Sequence, residues 1–360
     1  MKRFLFYLTA VTAMFFTSCT KDETTPPPIV EPPAPATVGL YVLNEGTWGQ
    51  GNSQLTYYDL ASSVATHDYY GKQNDGAKIG DTATDMLIYG SKLYIAVNVS
   101  NKVLVLNADT GKKLAEIDLG QKDGNDRQPR YLAAAGGKVF VSTYYDGVNW
   151  IDTTYLTRQG TIPLTEAFSE GLCVLGDNLY VANAGRKGDS FGGKGTTVSV
   201  VSLATFSETG TITVPANPNR IEAGDDGKLY LSCWGDFLET EAQLYRIDPA
   251  GGTAEKVTDT PVSKFAVDRG YAYTYNFSWI TYDMENWKID LKTGEETVFI
   301  ADPREIGLRS IYDVCANPLT GMIYYLDESG LVVAFSSDGT EQFRIEDNGI
   351  RTNTVVFLNK

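Results

Sequence analysis

A short strand signature that recurs along the chain constrains its fold more than any other feature. Each copy is a turn followed by an apolar residue and then an aromatic one, as in SKLYIAV, GKVFVST and DNLYVAN. The seven copies carry their aromatic residue at Tyr41, Tyr94, Phe140, Tyr180, Tyr230, Tyr273 and Tyr324. Successive copies therefore lie 40 to 53 residues apart, which brackets the period of about 40 to 50 residues of a four-stranded propeller blade. The repeat predicts an all-β fold, a seven-bladed β-propeller.

Two of the repeats can be divided into four strands from the sequence alone. In the third repeat these are RYLAAAG, KVFVSTYY, VNWIDTTYL and TRQGTIPL, and in the fifth they are RIEAG, KLYLSCW, AQLYRIDP and TAEKVTD. Short strands separated by glycine- and aspartate-rich turns are typical of four-stranded antiparallel blades. No helical periodicity is visible after residue 18.

The two ends of the repeat region predict how the ring closes. The first repeat, GLYVLN, has no inner strand before it, whereas the C-terminus ends in a spare strand, NTVVFLN, at residues 353–359. We expect this last strand to pair beside the strand of Tyr41 and to close the ring, because closure removes the exposed strand edges of an open sheet.

The connections between strands fall into two classes when each blade is counted from its inner strand. Connections from the first to the second strand and from the third to the fourth are short, for example AGGK and DPAGG. The long ones follow the second or the fourth strand, and include NEGTWGQGN, NAGRKGDSFGGKGT, CWGDFLETE, NFSWITYDMEN, YGKQNDGAKIGDTATD and LGQKDGNDRQPR. Antiparallel order places this second class on one face, and long loops on a rigid scaffold collect binding residues.

Candidate ligand-binding residues lie at the strand ends of this face. The aromatic candidates are Trp48, Tyr144, Tyr145, Trp234 and Trp279, the amides are Asn44, Asn183 and Asn276, and the charged candidates are Glu45, Asp85, Arg130 and Arg220. Aromatic walls with amide and guanidinium groups suit a ligand that carries many amide or carboxylate groups. The alternative is that the rings pack against neighbouring loops and that each asparagine closes a loop through hydrogen bonds to the backbone.

The N-terminal segment has the features of an exported and lipidated protein. Lys2 and Arg3 precede an apolar run too short to span a bilayer, and FTSC resembles a bacterial lipobox with Cys19 as the lipidated residue. A plain secretory signal is the alternative. The stretch TKDE resembles a surface-export signal, and the proline-rich segment that follows predicts an extended tether. We expect a signal peptide at 1–18, an anchor and tether at 19–37 and the propeller at 38–360, held on the outer membrane and exposed at the cell surface.

Composition argues against several functional classes. A formal net charge of −15 opposes binding to nucleic acid or to an anionic membrane surface, so we expect membrane contact through the lipid anchor only. His67 is the only histidine, expected on an exposed strand, and Cys173, Cys233 and Cys315 lack CxxC spacing. No metal site and no catalytic residue is therefore predicted, and P-loop, dinucleotide and HExxH motifs are missing from the sequence. We expect a protein that is not an enzyme and has no cofactor.

Two stretches carry a resemblance to a known family. VLNEGTWGQGNSQLTYYD, which follows the lipobox, and KLYIAVNVSNKVLVLNADTGK in the next repeat resemble the YncE-like (YVTN-type) seven-bladed propeller lipoproteins of Bacteroides. They are similar in particular to the BtuG-type surface proteins. The resemblance implies capture of cobalamin (vitamin B12) or a related corrinoid, as ligand and not as cofactor, and its transfer to an outer-membrane TonB-dependent transporter. A surface-layer or adhesion-type propeller that binds a protein or a glycan, and a metal-dependent lactonase-like hydrolase, are the alternatives.

Overall fold

A computed structural model describes residues 34–186, 188, 192–236, 240–277 and 283–360. The chain divides into two units, Met1–Pro35 and Ala36–Lys360, and every described helix and strand belongs to the second unit. The described part contains no helix that is long and apolar enough to cross a membrane.

The strands form seven antiparallel blades, which we number along the chain. Blade 1 begins with β1 (Thr37–Asn44), β2 (Gln54–Asp59) and β3 (Val64–Thr66). Blade 2 contains β4 (Ala83–Tyr89), β5 (Lys92–Val97), β6 (Lys102–Asn107) and β7 (Lys113–Asp118), and a hairpin of β8 (Gln121–Lys122) and β9 (Asn125–Asp126) follows it. Blade 3 contains β10 (Pro129–Ala135), β11 (Lys138–Thr143), β12 (Val148–Asp152) and β13 (Thr157–Ile162). Blade 4 contains β14 (Ala167–Leu175), β15 (Asn178–Gly185), β16 (Thr197–Ser202) and β17 (Ser207–Thr213).

The second half of the ring repeats this order. Blade 5 contains β18 (Pro218–Ala223), β19 (Leu229–Cys233), β20 (Gln243–Asp248) and β21 (Thr253–Lys256). Blade 6 contains β22 (Lys264–Asp268), β23 (Tyr271–Phe277), β24 (Met284–Glu285), β25 (Trp287–Asp290) and β26 (Glu296–Val298). Blade 7 contains β27 (Ile311–Ala316), β28 (Ile323–Asp327), β29 (Leu331–Phe335) and β30 (Glu341–Glu346), and β31 (Thr352–Asn359) completes blade 1. The inner strands contact one another in the order β31, β4, β10, β14, β18, β22, β27 and back to β31, so the blades form the predicted seven-bladed propeller.

The seven aromatic residues of the repeat form the core between neighbouring blades. All of them are buried, and the most exposed, Tyr180, has only 4% of its surface accessible. Tyr41 of blade 1 packs with Leu93 and Leu104 of blade 2, and its hydroxyl donates a hydrogen bond to the carbonyl of Ala108 at 2.8 Å. The repeat therefore marks the side chains that fill the wedge between adjacent sheets.

The ring closes as the sequence predicts, and a buried polar network reinforces the junction. Strand β31 pairs with β1 in antiparallel register. The fully buried Asp347, in the loop before β31, accepts hydrogen bonds from Asn44 Nδ2 and Thr56 Oγ1, and His67 Nδ1 lies 3.4 Å away. Thr352 Oγ1 donates to Asn44 Oδ1 at 2.8 Å. The expectation that His67 is an exposed strand residue is wrong, because it follows β3 and lies half-buried against this network.

The segment 67–82 contains a short helix that the sequence analysis did not predict. Helix α1 (Tyr69–Gln73) follows the very short strand β3, and Tyr70 in it is buried between blades 1 and 2. Asn74, which follows the helix, strengthens this contact because its Nδ2 donates a hydrogen bond to the carbonyl of Gly111 in a turn of blade 2. Five residues are too few to show a helical period, and a helix this short depends on tertiary packing. Part of this long connection thus fills a gap in the core and is not a free loop.

Candidate ligand-binding cup

The inner strands share an irregularity that shapes the central channel. Their pairing with the second strand of the blade shifts register at Ala83/Asp85, Pro129/Leu132, Ser169/Leu172, Pro218/Ile221 and Ile311/Asp313. Such β-bulges change the direction of nearby side chains and are frequent beside functional sites. Charged side chains stand at or next to these bulges in five blades: Asp85, Arg130, Glu170, Arg220 and Asp313.

Most of these charged side chains form ion pairs at the level of the bulges. We call Asp85, Arg130, Glu170, Arg220, Glu222 and Asp313 the channel belt, and treat it as the floor of the cup. Arg220 of blade 5 lies 2.7 Å from Glu222 Oε1 in its own strand and 2.5 Å from Asp313 Oδ1 of blade 7. Blades 5 and 7 are not neighbours in the ring, so their side chains meet past the inner strand of blade 6. The ion pair of Arg220 with Asp313 therefore crosses the channel at this level.

Asp85 is the carboxyl group of the belt with the most altered acidity. Burial raises its pKa to about 7, although a hydrogen bond from the Leu132 backbone N–H at 2.8 Å and the positive charge of Arg220 favour the carboxylate. Loss of hydration disfavours the charged form more than these partners stabilise it. Asp85 therefore changes charge near neutral pH, inside the channel.

One group of candidate residues lies together where blades 3 and 4 meet. Arg130 pairs with Glu170 at 2.9 Å, and its guanidinium carbon lies 4.9 Å from the centre of the Tyr144 ring. Tyr144 donates its hydroxyl to Glu170 Oε1 at 2.8 Å. Tyr145 packs edge-on against Tyr144 and is 41% exposed, whereas Arg130 and Tyr144 are half-buried. This group offers an exposed ring and a partly exposed cation on one side of the cup.

A second group lies on the other side, where blades 5, 6, 7 and 1 meet. Lys264, the first residue of β22, places Nζ 5.1 Å from the centre of the Trp234 ring and 5.4 Å from that of Tyr312. Trp234 Nε1 donates to the carbonyl of Ser263 at 2.9 Å, and Tyr312 donates its hydroxyl to Glu45 Oε2 at 2.5 Å. Both rings are thus fixed by hydrogen bonds, and burial lowers the pKa of Lys264. We call Lys264, Trp234 and Tyr312 the Lys264 site.

The three candidate amides are placed away from the cup. Asn44 belongs to the junction network, and Asn183 is fully buried and donates Nδ2 to Ser199 Oγ at 2.8 Å. Asn276, 9% exposed, donates Nδ2 to Glu285 Oε2 at 3.2 Å. Each stands at the end of a second strand, where its side chain turns into the blade and joins the strand ends. This is close to the alternative considered from the sequence, except that side chains and not backbone groups are the partners.

Of the two remaining tryptophan candidates, Trp48 and Trp279, the structure describes only Trp48. Trp48 is 71% exposed at the tip of a turn in which the Gln50 N–H bonds the Thr47 carbonyl at 3.0 Å. The loop is held further by Asn52 Oδ1, which accepts from the Thr47 N–H at 2.8 Å. Trp48 is therefore a rim residue presented on an ordered loop. Trp279 lies outside the described residues, as does Cys19.

Lys264, Tyr312 and Asp313 are among the residues of the cup and its floor that were missed from the sequence. A positional rule would have found them, because Asp85, Arg130 and Arg220 already stand among the first three residues of inner strands. Applying that rule to blades 6 and 7 gives Lys264, Tyr312 and Asp313. The signal for these residues is therefore present in the repeat itself.

Comparison with known families gives a direct assignment. A model of the domain of unknown function DUF5074 matches residues 38–299. The chain belongs to the DUF5074 family. The match covers most of the propeller, from the first strand into blade 6, and the family description names no activity. Comparison with curated protein sequences found no significant match.

Solved structures share the propeller architecture with this DUF5074 member. A quinonprotein alcohol dehydrogenase-like protein from Bacteroides thetaiotaomicron is 16% identical with a TM-score of 0.64, covering 89% of this chain and 78% of its own. A protein from Lactobacillus plantarum is 15% identical with a TM-score of 0.63, covering 90% and 100%. AztD from Citrobacter koseri is 12% identical with a TM-score of 0.57, covering 89% and 98%. At these identities the likeness shows the fold alone.

Proposed function

We propose that this protein is a cell-surface lipoprotein that captures a corrinoid, most directly cobalamin, in the cup above the channel belt. The observation that carries the proposal is the convergence of aromatic rings and cations from different blades over a closed floor. Arg130 with Tyr144 and Tyr145 lies on one side, and Lys264 with Trp234 lies on the other. A concave site lined by rings with a few fixed polar groups is the usual composition of a small-molecule site.

The chemistry of cobalamin suits these groups. It is a large, flattened ligand fringed with amides, so its faces can contact aromatic side chains while its edges meet charged donors. Arg130 and Lys264 supply donors on opposite sides, and half-buried Trp234, Tyr144 and Tyr312 supply rings. The closed floor supports binding from the long-loop face without passage through the channel.

The proposed location and partner rest on the N-terminal segment and on the family resemblance. Cys19 would carry the lipid anchor in the outer membrane, and the proline-rich tether would hold the propeller clear of the headgroups. From that position the protein would pass its ligand to an outer-membrane TonB-dependent transporter. We propose no nucleic-acid partner, in keeping with the net charge of −15.

A second candidate function is supported by Trp48. A tryptophan that is 71% exposed on a hydrogen-bonded loop is suited to stack on a sugar ring or to enter a pocket of another protein. This observation favours a surface-layer or adhesion-type propeller that binds a glycan or a protein. Because Trp48 and Trp234 lie on different loops, separate substitutions distinguish the two candidates.

We propose a binding protein and not an enzyme. The described part of the chain contains no group of three or more His, Cys, Asp or Glu residues that could hold a metal ion. A lactonase-like hydrolase that depends on a metal therefore draws no support from these residues. Addition of EDTA during a ligand titration tests whether a metal ion takes part in binding, and we expect it to leave binding unchanged.

The test of the corrinoid proposal is a calorimetric titration of the unit Ala36–Lys360 with cyanocobalamin, read together with tryptophan quenching. That unit carries its own core and a closed ring, so we expect it to fold alone. Saturable binding that weakens in Trp234→Leu is the expected result. Trp150→Leu is the matched control, because Trp150 of blade 3 is half-buried and stacks on Phe206 of blade 4, away from the candidate residues of the cup. Heat and fluorescence that do not respond to cyanocobalamin would overturn the proposal and leave the second candidate.

A further inference from the structure

Among the described residues, Lys264 differs from the two arginines of the channel in forming no ion pair, because the carboxylates of Asp313 and Glu170 act on it only from beyond ion-pair distance. Arg130 forms an ion pair with Glu170, and Arg220 forms ion pairs with Glu222 and Asp313. In the part of the chain that the structure describes, the neighbours of Lys264 Nζ are instead the rings of Trp234 and Tyr312. Attraction to the faces of two aromatic rings stabilises an ammonium group without neutralising it. Lys264 thus keeps a positive charge that no ion pair with a described residue neutralises and that a group entering from outside can pair with.

The position of Lys264 directs this charge toward the cup. Lys264 opens inner strand β22, Trp234 follows strand β19 of blade 5, and Tyr312 is the second residue of inner strand β27. All three are half-buried. The site is therefore near the mouth of the channel, above the pair of Arg220 with Asp313.

The surrounding charges explain why an anion would be accepted at this point and not elsewhere in the cup. The arginines of the belt are neutralised by their carboxylates, whereas Glu45 is engaged by the Tyr312 hydroxyl and forms no ion pair with Lys264 among the described residues. Burial lowers the pKa of Lys264 because it lacks full hydration. An anion bound against Nζ would restore that lost stabilisation, since charge-assisted hydrogen bonds are stronger than neutral ones.

We propose that the Lys264 site is an anion-binding subsite of the cup and that it takes the phosphodiester of the bound corrinoid. This inference rests on the proposed function and makes it more specific. Among corrinoids, cobalamin carries a phosphodiester in its nucleotide loop, whereas cobinamide lacks the nucleotide and that phosphodiester. The subsite therefore predicts a preference for the complete molecule.

The test compares cyanocobalamin with dicyanocobinamide on the unit Ala36–Lys360 by calorimetry. We expect Lys264→Met to weaken cyanocobalamin binding by about ten- to a hundredfold, the range for losing a hydrogen bond to a charged group. Dicyanocobinamide binding should change little, so the preference for cobalamin disappears. Lys264→Arg retains a cation and should keep most of that preference.

Lys288→Met is the matched control for this experiment. Lys288 also belongs to blade 6 and also lies over two rings, 4.2 Å from the centre of Tyr271 and 5.8 Å from that of Tyr273. Its Nζ donates to the carbonyl of Ser337 at 2.7 Å, away from the inner strands. Both affinities should stay at the wild-type values in this variant, and circular dichroism checks that each variant is folded.

The outcomes separate the inference from the function on which it rests. If the wild-type protein binds neither corrinoid, both the proposed function and the subsite are overturned. If it binds both and Lys264→Met weakens them equally, or weakens neither, the phosphodiester assignment alone is overturned. Equal wild-type affinity for the two corrinoids would also overturn it.

Discussion

At the scale of single residues, Arg130 shows how a side chain in the cup can serve stability as well as binding. Glu170, its ion-pair partner at 2.9 Å, has a side chain that is only 7% exposed. Arg130→Met would leave this carboxylate buried without a cation, which costs about 3 kcal/mol or more. We expect denaturant unfolding to show a loss of this size.

The control for that prediction is an exposed ion pair of similar geometry. Arg246 and Glu255 lie 2.8 Å apart with side chains 40% and 65% exposed, and Arg246→Met should change the free energy of unfolding by less than about 1 kcal/mol. Adding Glu170→Gln to Arg130→Met should recover part of the loss, because it removes the unpaired charge. Equal losses in the free energy of unfolding for Arg130→Met and Arg246→Met would contradict the proposed role of Arg130 in compensating the buried charge of Glu170.

The raised pKa of Asp85 predicts how the stability of the folded protein depends on pH. Its pKa is about 7 in the folded protein against 3.8 for an exposed aspartate, so the folded state holds the proton more tightly than the unfolded chain. Stability from this group is therefore lost as pH rises from about 4 to about 7. We expect Asp85→Asn to be no more stable than wild type near pH 4, and increasingly more stable toward pH 8.

Denaturant unfolding at a series of pH values checks this, and the difference between variant and wild type isolates the one group. Asp123→Asn serves as control, because the Asp123 side chain is 81% exposed. The difference for the control should stay flat across the series. A difference for Asp85→Asn that is also flat, or that is largest at acid pH, would show that the carboxyl group is not held protonated by burial.

At the scale of structural elements, strand β31 is the part on which the closed ring depends. It supplies the inner strand of blade 1 and buries Val355 and Leu358. Deleting residues 353–360 would expose the edge of β1 and remove these side chains, each worth about 1.5 to 3 kcal/mol when buried. We expect a large drop in melting temperature and a broader transition across the whole domain.

Removal of Lys360 alone is the control for the deletion. Its backbone bonds Ala36 in both directions, at 2.8 and 2.9 Å, beyond the end of β31. That truncation should cost little and keep a single sharp transition. Unchanged cooperative melting after removal of 353–360 would show that the ring does not need β31.

The elements also show what the sequence could and could not predict. Blade number, strand order and closure by β31 were predictable, because the buried aromatic residues repeat with the blade. Helix α1 was not, since Tyr70 is fixed by packing in a gap left by the short strand β3. Arg130, Tyr144 and Tyr145 were found together at one side of the cup. The positions of Asn44 and Asn183 after the aromatic residue of the repeat do not reveal which way their side chains point. The Lys264 site could not be predicted either, because it depends on contacts between blades.

At the scale of the whole molecule, we expect the two faces of the propeller to differ in function, with the ligand bound on the long-loop face only. The channel belt crosses the channel, so a ligand on the long-loop face meets Arg130, Tyr144, Trp234 and Lys264 but not the short turns of the other face. The short turns, such as Gly136–Gly137 and 249–252, serve to connect strands. The ligand should therefore protect backbone amides from hydrogen exchange on the long-loop face only.

Hydrogen–deuterium exchange with and without cyanocobalamin tests directly whether the corrinoid is captured in the cup. We predict slower exchange at the starts of β10, β22 and β27 and at the loop after β19, with the short turns of the opposite face unchanged. Protection that is absent in these segments, or that lies mainly on the opposite face, would contradict capture of a corrinoid in the cup.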